Sequence, residues 1–221
     1  CLKHATNHIQ TRCKTFRRTH MTKKFKLLIL VVIIATSCSS SKKLNLWTKQ
    51  SKIKEVKNFE SRLNPNSDFL NQNVSLSESI YPKVKEFEMA NPLIIKREKK
   101  GLLPVYAEYF YSKPDSILRY VSYDWENNRY GNYFDKKKDW ETQSKKLTDY
   151  NAEYERIKKQ LISEFGQPIE QDNQPQETKS DYGGPDYLSR NTIWKSDERF
   201  MKLNMIFGAS TYRIRLYYYW K

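Results

Sequence analysis

The chain has 221 residues, of which 38% are hydrophobic and 14% aromatic, including 16 Tyr. That length suits one domain with a tail, and the aromatic weighting points to a β-rich core and away from a leucine-packed bundle. The formal charge is +15, but residues 1–37 hold eight Lys/Arg and no acid; beyond them 32 basic residues meet 25 acidic ones. Such an excess suits solubility or contact with anionic lipid, and no nucleic-acid-binding motif accompanies it.

Residues 1–20 begin at Cys1 and lie upstream of a complete export signal, so they are expected to stand outside the domain as a non-native upstream extension. From Met21 the chain reads as a signal peptide over 21–37. Lys23, Lys24 and Lys26 form a positive stretch, Leu27 to Ala35 is apolar, and Thr36-Ser37 precede Cys38. The lysines stay on the cytoplasmic side while the apolar stretch enters the bilayer. Nine apolar residues fall well short of the roughly 20 that a stable span needs.

Ala35-Thr36-Ser37-Cys38 resembles the lipobox of bacterial lipoproteins. Ala35 stands where that family usually carries a larger aliphatic residue. The resemblance implies cleavage before Cys38, acylation of its thiol, and a membrane anchor of two or three acyl chains, as durable attachment requires. Residues 38–50 are then a lipidated tether. The placement implied is the extracytoplasmic side of a membrane, with the outer membrane preferred. In general layout the chain resembles small uncharacterised lipoproteins of diderm bacteria, which supplies no activity.

Cysteine and histidine positions sharpen this reading. The cysteines are Cys1, Cys13 and Cys38, and the histidines His4, His8 and His20. A chain processed at Cys38 keeps no histidine, and its one sulfur carries lipid. Disulfides, thiol nucleophiles, His–Cys zinc sites and Ser–His–Asp triads are then excluded. No metal and no cofactor are expected.

Residues 51–221 are expected to form one α+β domain. Ile53, Val56, Phe59 and Leu63 recur at helical spacing over 51–64. Residues 64–78 are rich in Asn and Ser and read as a loop. Pro82 is placed to open a short helix through Val84, Phe87 and Met89, and Leu93-Ile94-Ile95 to begin a strand. Val105 to Tyr111 and Ile117 to Trp125 are β-rich runs joined by the turn Ser112-Lys113-Pro114-Asp115. In the second run Ile117, Arg119, Val121, Tyr123 and Trp125 are expected to share a face. Residues 127–145 are polar.

Leu147, Tyr150, Tyr154, Ile157, Leu161 and Phe165 form a single apolar stripe, stopped by Gly166 and Pro168. Residues 167–190 read as a long exposed loop. Asn191 to Trp194 is a possible short strand. Phe200 to Phe207 and Tyr212 to Trp220 alternate as a closing hairpin around Gly208-Ala209-Ser210. The architecture expected is an antiparallel sheet of about four to five strands, one main helix on one face, and an N-terminal helical segment. No internal repeat is visible.

Three groups are candidate sites. Arg213, Arg215, Tyr217 and Tyr219 alternate on one face of the last strand, suited to binding a sugar, peptide or anion, or equally to pairing across strands. Glu108, Asp124 and Glu126 are the carboxylates that a glycan hydrolase would need. Asp181-Tyr182-Gly183-Gly184-Pro185-Asp186-Tyr187 is a loop suited to recognition. Trp125 and Trp194 are assigned to the core. The preferred function is a non-catalytic envelope module binding a protein, glycan or peptide. The alternatives are a carboxylate-based hydrolase of cell-wall or surface glycan, and an inhibitor or immunity-type partner. No nucleic-acid partner is expected.

Overall fold

The structure, a computed structural model, describes residues 43–65, 68–98, 101–127, 143–179, 186–208 and 211–221. Residues 43–221 form one compact unit. The signal segment and Cys38 lie outside the described residues, as do 128–142 and 180–185. Among the described residues no helix is long and apolar enough to cross a membrane.

In chain order the elements are α1 (Ile53–Leu63), β1 (Asp68–Leu70), a single 3-10 turn (Val84–Glu86), β2 (Leu93–Arg97), β3 (Val105–Tyr111) and β4 (Leu118–Glu126). There follow α2 (Ser144–Phe165), β5 (Glu170–Gln171), β6 (Gln176–Thr178), β7 (Tyr187–Lys195), β8 (Arg199–Gly208) and β9 (Thr211–Trp220). All nine strands belong to one antiparallel sheet in the order β1-β2-β3-β4-β9-β8-β7-β5, with β6 also on β7.

The expectation of a simple α+β domain with four or five strands is therefore incorrect. The extra strands are mostly short edge pieces: Asp68-Phe69-Leu70, Glu170-Gln171 and Gln176-Glu177-Thr178. Edge strands are recruited by the unpaired backbone groups of a neighbour, so they need no apolar alternation. The region 167–190, expected as a loop, supplies two of them and the start of β7.

The sheet consists of two meanders that meet at their last strands. Leu93–Glu126 and Tyr187–Trp220 are of equal length, and each follows a helix and makes three strands. β4 and β9 pair antiparallel through seven registered positions from Tyr120↔Tyr219 to Glu126↔Arg213. The repetition is one of topology, with no visible repetition of residues.

Both helices pack on one face. Ile53 and Val56 of α1, and Tyr150, Tyr154, Ile157 and Leu161 of α2, join Ile95, Tyr109, Val121, Leu203 and Leu216 in a single core. Trp125 and Trp194 are in it too. The Tyr154 hydroxyl lies 2.8 Å from Thr192 Oγ1, and the Tyr150 hydroxyl donates to the Tyr212 carbonyl at 3.1 Å. Gly166 ends α2 with φ 82°, and its carbonyl accepts the Trp194 indole N–H at 2.9 Å.

A bulge keeps β4 in phase with this core. Tyr111 is opposite Leu118 and Phe110 is opposite Tyr120, so Arg119 is the extra residue. Leu118 thereby enters the helix-side core while Tyr120 turns to the second face. Arg119 does not share a face with Val121, Tyr123 and Trp125 as expected. Its guanidinium sits 4.0 Å from the Phe87 ring centre and donates to Asp115 at 2.5 Å.

Residues 43–50, expected as a free tether, are built into the unit. Leu44, Leu46 and Trp47 pack against the core. The Trp47 N–H donates to the Tyr123 hydroxyl at 2.7 Å, and the Arg97 guanidinium donates to the Asn45 carbonyl at 2.7 Å.

The buried phenols make a testable statement about pH. Burial pushes Tyr109, Tyr120 and Tyr218 well above the ordinary phenol value and raises Tyr123. Burial likewise pushes Tyr81 up to about 12. A phenol whose folded pKa exceeds its unfolded value holds its proton more firmly in the folded chain. The associated stability is complete below about pH 10 and is lost as pH rises toward the folded values. Cooperative alkaline unfolding is expected above about pH 10, with tyrosinate absorbance and loss of circular dichroism rising together. Gradual tyrosinate formation in a chain that stays folded would contradict it.

Candidate functional site

Two of the three candidate groups turn out to be one. Register places Asp124 opposite Arg215, Glu126 opposite Arg213, Ser122 opposite Tyr217 and Tyr120 opposite Tyr219. Glu108 lies across from Ser122 on the other side. The carboxylates and the aromatic-basic residues therefore share the second face of the sheet, away from the helices. Residues 87 to 99 positions apart in the chain become neighbours only because β4 and β9 are adjacent.

The chemistry of this face is dominated by internal pairing. Arg215 Nε donates to Asp124 Oδ1 at 2.5 Å and its terminal nitrogen to Oδ2 at 2.9 Å, a two-pronged contact. Asp124 is fully buried and the Arg215 side chain is 16% exposed. Burial alone favours loss of the Arg215 proton, but the Asp124 carboxylate outweighs it and holds the guanidinium charged. Ser122 Oγ donates to Glu108 at 2.9 Å, with both residues buried. Glu126 is also buried.

The tyrosines continue the pattern in a string of rings. Tyr217 stacks on Tyr120 with centres 5.7 Å apart, and Tyr219 stacks on Phe200 at 5.1 Å. Tyr81 approaches Tyr219 at 5.3 Å. Beneath the segment that carries Val74, Ile80, Val84 and Phe87, these rings form a second small core.

The face is divided in its exposure. On β3 and β4 its residues Glu108, Phe110, Tyr120, Ser122, Asp124 and Glu126 are all buried. On β7 to β9 the same face leaves Ile193, Phe200, Lys202, Asn204, Ile206 and Tyr219 half-exposed. Two open depressions formed by described residues contain no candidate residue. One, of about 450 Å³, runs along α2 beside Ala152, Glu155, Arg156, Lys158, Lys159 and Ile162. The other, of about 370 Å³, lies by Leu102, Leu103, Asn127 and the start of α2.

Of the segment Asp181 to Tyr187, Asp186 and Tyr187 are described, and Tyr187 opens β7 opposite Gly208 and Thr178. Asp181 to Pro185 lie outside the described residues. Among the described residues no group of three His, Cys, Asp or Glu is placed to hold a metal ion.

Sequence reasoning missed a buried ion pair between Glu60 and Arg97. Glu60, on the inner face of α1, is fully buried and meets Arg97 of β2 through both carboxylate oxygens, one Arg97 contact being 3.0 Å. The Tyr109 hydroxyl also donates to Glu60, and the Tyr123 hydroxyl lies 3.0 Å from Tyr109's. Burial opposes the charge on Arg97, but the Tyr109 and Tyr123 oxygens and the Glu60 carboxylate around it outweigh that effect. The one sequence signal was that Glu60 sits in line with Ile53 and Val56, on the apolar side of α1.

Comparison with protein-family models, with curated proteins and with solved structures finds no match to this chain.

Two substitutions distinguish paired charge from free charge. Asp124→Asn leaves the buried Arg215 without its carboxylate and is expected to cost about 3–5 kcal/mol, whereas Asp124→Leu with Arg215→Met together is expected to cost much less. Urea unfolding of the single and double variants measures this. A cost under about 1 kcal/mol for Asp124→Asn would mean the pair contributes nothing.

Proposed function

We propose that the chain is a lipoprotein held on the extracytoplasmic side of a membrane by acylated Cys38, and that its domain is a non-catalytic binding or assembly module of the cell envelope. The outer membrane is the preferred location. The observation that carries the binding reading is the divided second face. Its carboxylates are buried and engaged, while β7 to β9 present Phe200, Lys202, Asn204 and Ile206 half-exposed beside Tyr219. Aromatic side chains such as Phe200 and Tyr219 are enriched in binding interfaces, with Lys202 suited to their polar rim.

The same pairing weighs against the hydrolase reading. A glycosidase needs two carboxyl groups flanking a bound sugar, one to give a proton and one to attack or activate water. Both Asp124 oxygens are taken by Arg215, and Glu108 receives Ser122. An inhibitor-like role is a variant of the binding reading, in which the ligand is an enzyme.

The anchor is tested by the intact mass of the protein purified from its native membrane. Expected is a chain beginning at Cys38 and carrying acyl groups; an unmodified, unprocessed chain would refute it. The binding face is tested with Phe200→Ala combined with Lys202→Glu. Capture of an envelope protein or glycan by the soluble domain is expected to weaken about tenfold or more. Undiminished capture would move the binding surface elsewhere.

A further inference from the structure

Where the chain enters the folded unit it carries a run of exposed positive charge. Residues 43–221 hold 31 Lys/Arg and 25 Asp/Glu. The stretch 43–62 has six Lys/Arg against Glu55 and Glu60, a net of +4; the last stretch 199–221 nets +5, but there Arg215 is held by Asp124 and Arg199 by the Thr48 carbonyl. Glu60 is fully buried and engaged by Arg97, which leaves Glu55 as the exposed acid.

Packing explains why the cations face outward. Leu44, Leu46 and Trp47 are drawn into the core, and Trp47 lies 5.2 Å from the Phe59 ring. Backbone groups of the same stretch are bonded inward: the Leu44 N–H to Gln160 at 3.1 Å, and the Thr48 carbonyl to Arg199 at 2.8 Å. Lys43, Lys49, Lys52, Lys54, Lys57 and Arg62 are all exposed. Among the described residues none of these five lysines forms an ion pair. Elsewhere, exposed Lys85 and Lys113 are matched by Glu78 and Glu88.

We propose that this strip of six cations is a second, electrostatic membrane contact that binds anionic lipid headgroups and seats the domain with its helical layer toward the bilayer. The choice of a lipid surface rests on the anchor reading above. Only a handful of residues separate Cys38 from Lys43, a reach of about 18 Å at full extension. A lipid on Cys38 therefore keeps the strip close to the headgroups, within about two Debye lengths at physiological salt. Basic residues adjoining an anchor add attraction to an anionic surface one by one. In this orientation the open half of the second sheet face points away from the membrane, free to meet a partner.

The test uses residues 43–221, which carry the whole sheet and its core, without any lipid. Sedimentation with vesicles of phosphatidylglycerol and phosphatidylcholine is compared with pure phosphatidylcholine. Binding is expected to the anionic vesicles and not the neutral ones, and it is expected to fall steeply as salt rises from about 0.05 to 0.5 M. Lys52→Glu, Lys54→Glu and Lys57→Glu together are expected to weaken it at least about tenfold. The charge-matched control Lys96→Glu, Lys179→Glu and Lys195→Glu leaves it largely intact.

Circular dichroism confirms that both triple variants stay folded. Equal loss in the two triple variants would overturn the proposal, as would equal binding to neutral vesicles. So would tight binding of a single-stranded oligonucleotide with no vesicle binding. The measurement uses no acyl group, so a bare Cys38 in the native protein would defeat the anchor and leave this result to be judged alone.

Discussion

Glu60 is a carboxylate placed on the inner side of a short helix, where water does not reach it. An ion in that position is tolerated only if an opposite charge and hydrogen-bond donors meet it directly. Arg97 supplies the charge and Tyr109 a hydroxyl, while Tyr123 links this group to the backbone of Trp47. One requirement thus joins α1, β2, β3, β4 and the entering chain. It also holds the helical layer on one face of the sheet, which decides what the other face can be.

The second face repeats the principle with a different outcome. Asp124 and Arg215 join the two meanders across their seam, as Glu60 and Arg97 join helix to sheet. Both pairs are shielded from water, so each is a constraint on geometry more than a reserve of stability. The covered half of that face is closed by Tyr81, whose ring meets those of Tyr120 and Tyr219, with Val84 and Phe87 packed around it. Among the described residues, the half on β7 to β9 leaves Phe200 and Lys202 half-exposed. A surface with rigid rings and one open side is suited to recognition more readily than to chemistry. Lysines around the entry of the chain lie with the helical layer, on the side opposite Phe200 and Lys202.

Much of the fold was legible from residue spacing. The run Val105 to Tyr111 was read with its observed bounds, and both helices appeared through apolar residues three and four apart. Gly166 was recognisable as a stop because a residue with φ 82° strongly favours glycine. The short strands at the edges were not legible. Glu170-Gln171 is a strand because Ile193 and Thr192 offer it unpaired backbone groups, and nothing in its two side chains announces that. The bulge at Arg119 was equally hidden, since only the mismatch of Tyr111 with Leu118 and Phe110 with Tyr120 reveals it. Glu108, Asp124, Glu126, Arg213, Arg215, Tyr217 and Tyr219 do lie on strands, but their pairing was out of reach. Asp124 and Arg215 lie far apart in sequence, and strand order alone makes them partners.

By itself, the sequence determined the two helices and the alternating faces of the long strands β8 and β9. Each of these depends on neighbours within about one turn or two residues along the chain. The tertiary structure alone decided the nine-strand order, the burial of Glu60 and Asp124, and the division of the second face into a closed and an open half. Those features depend on which distant segment lies alongside, and that is set by the packing of the whole core.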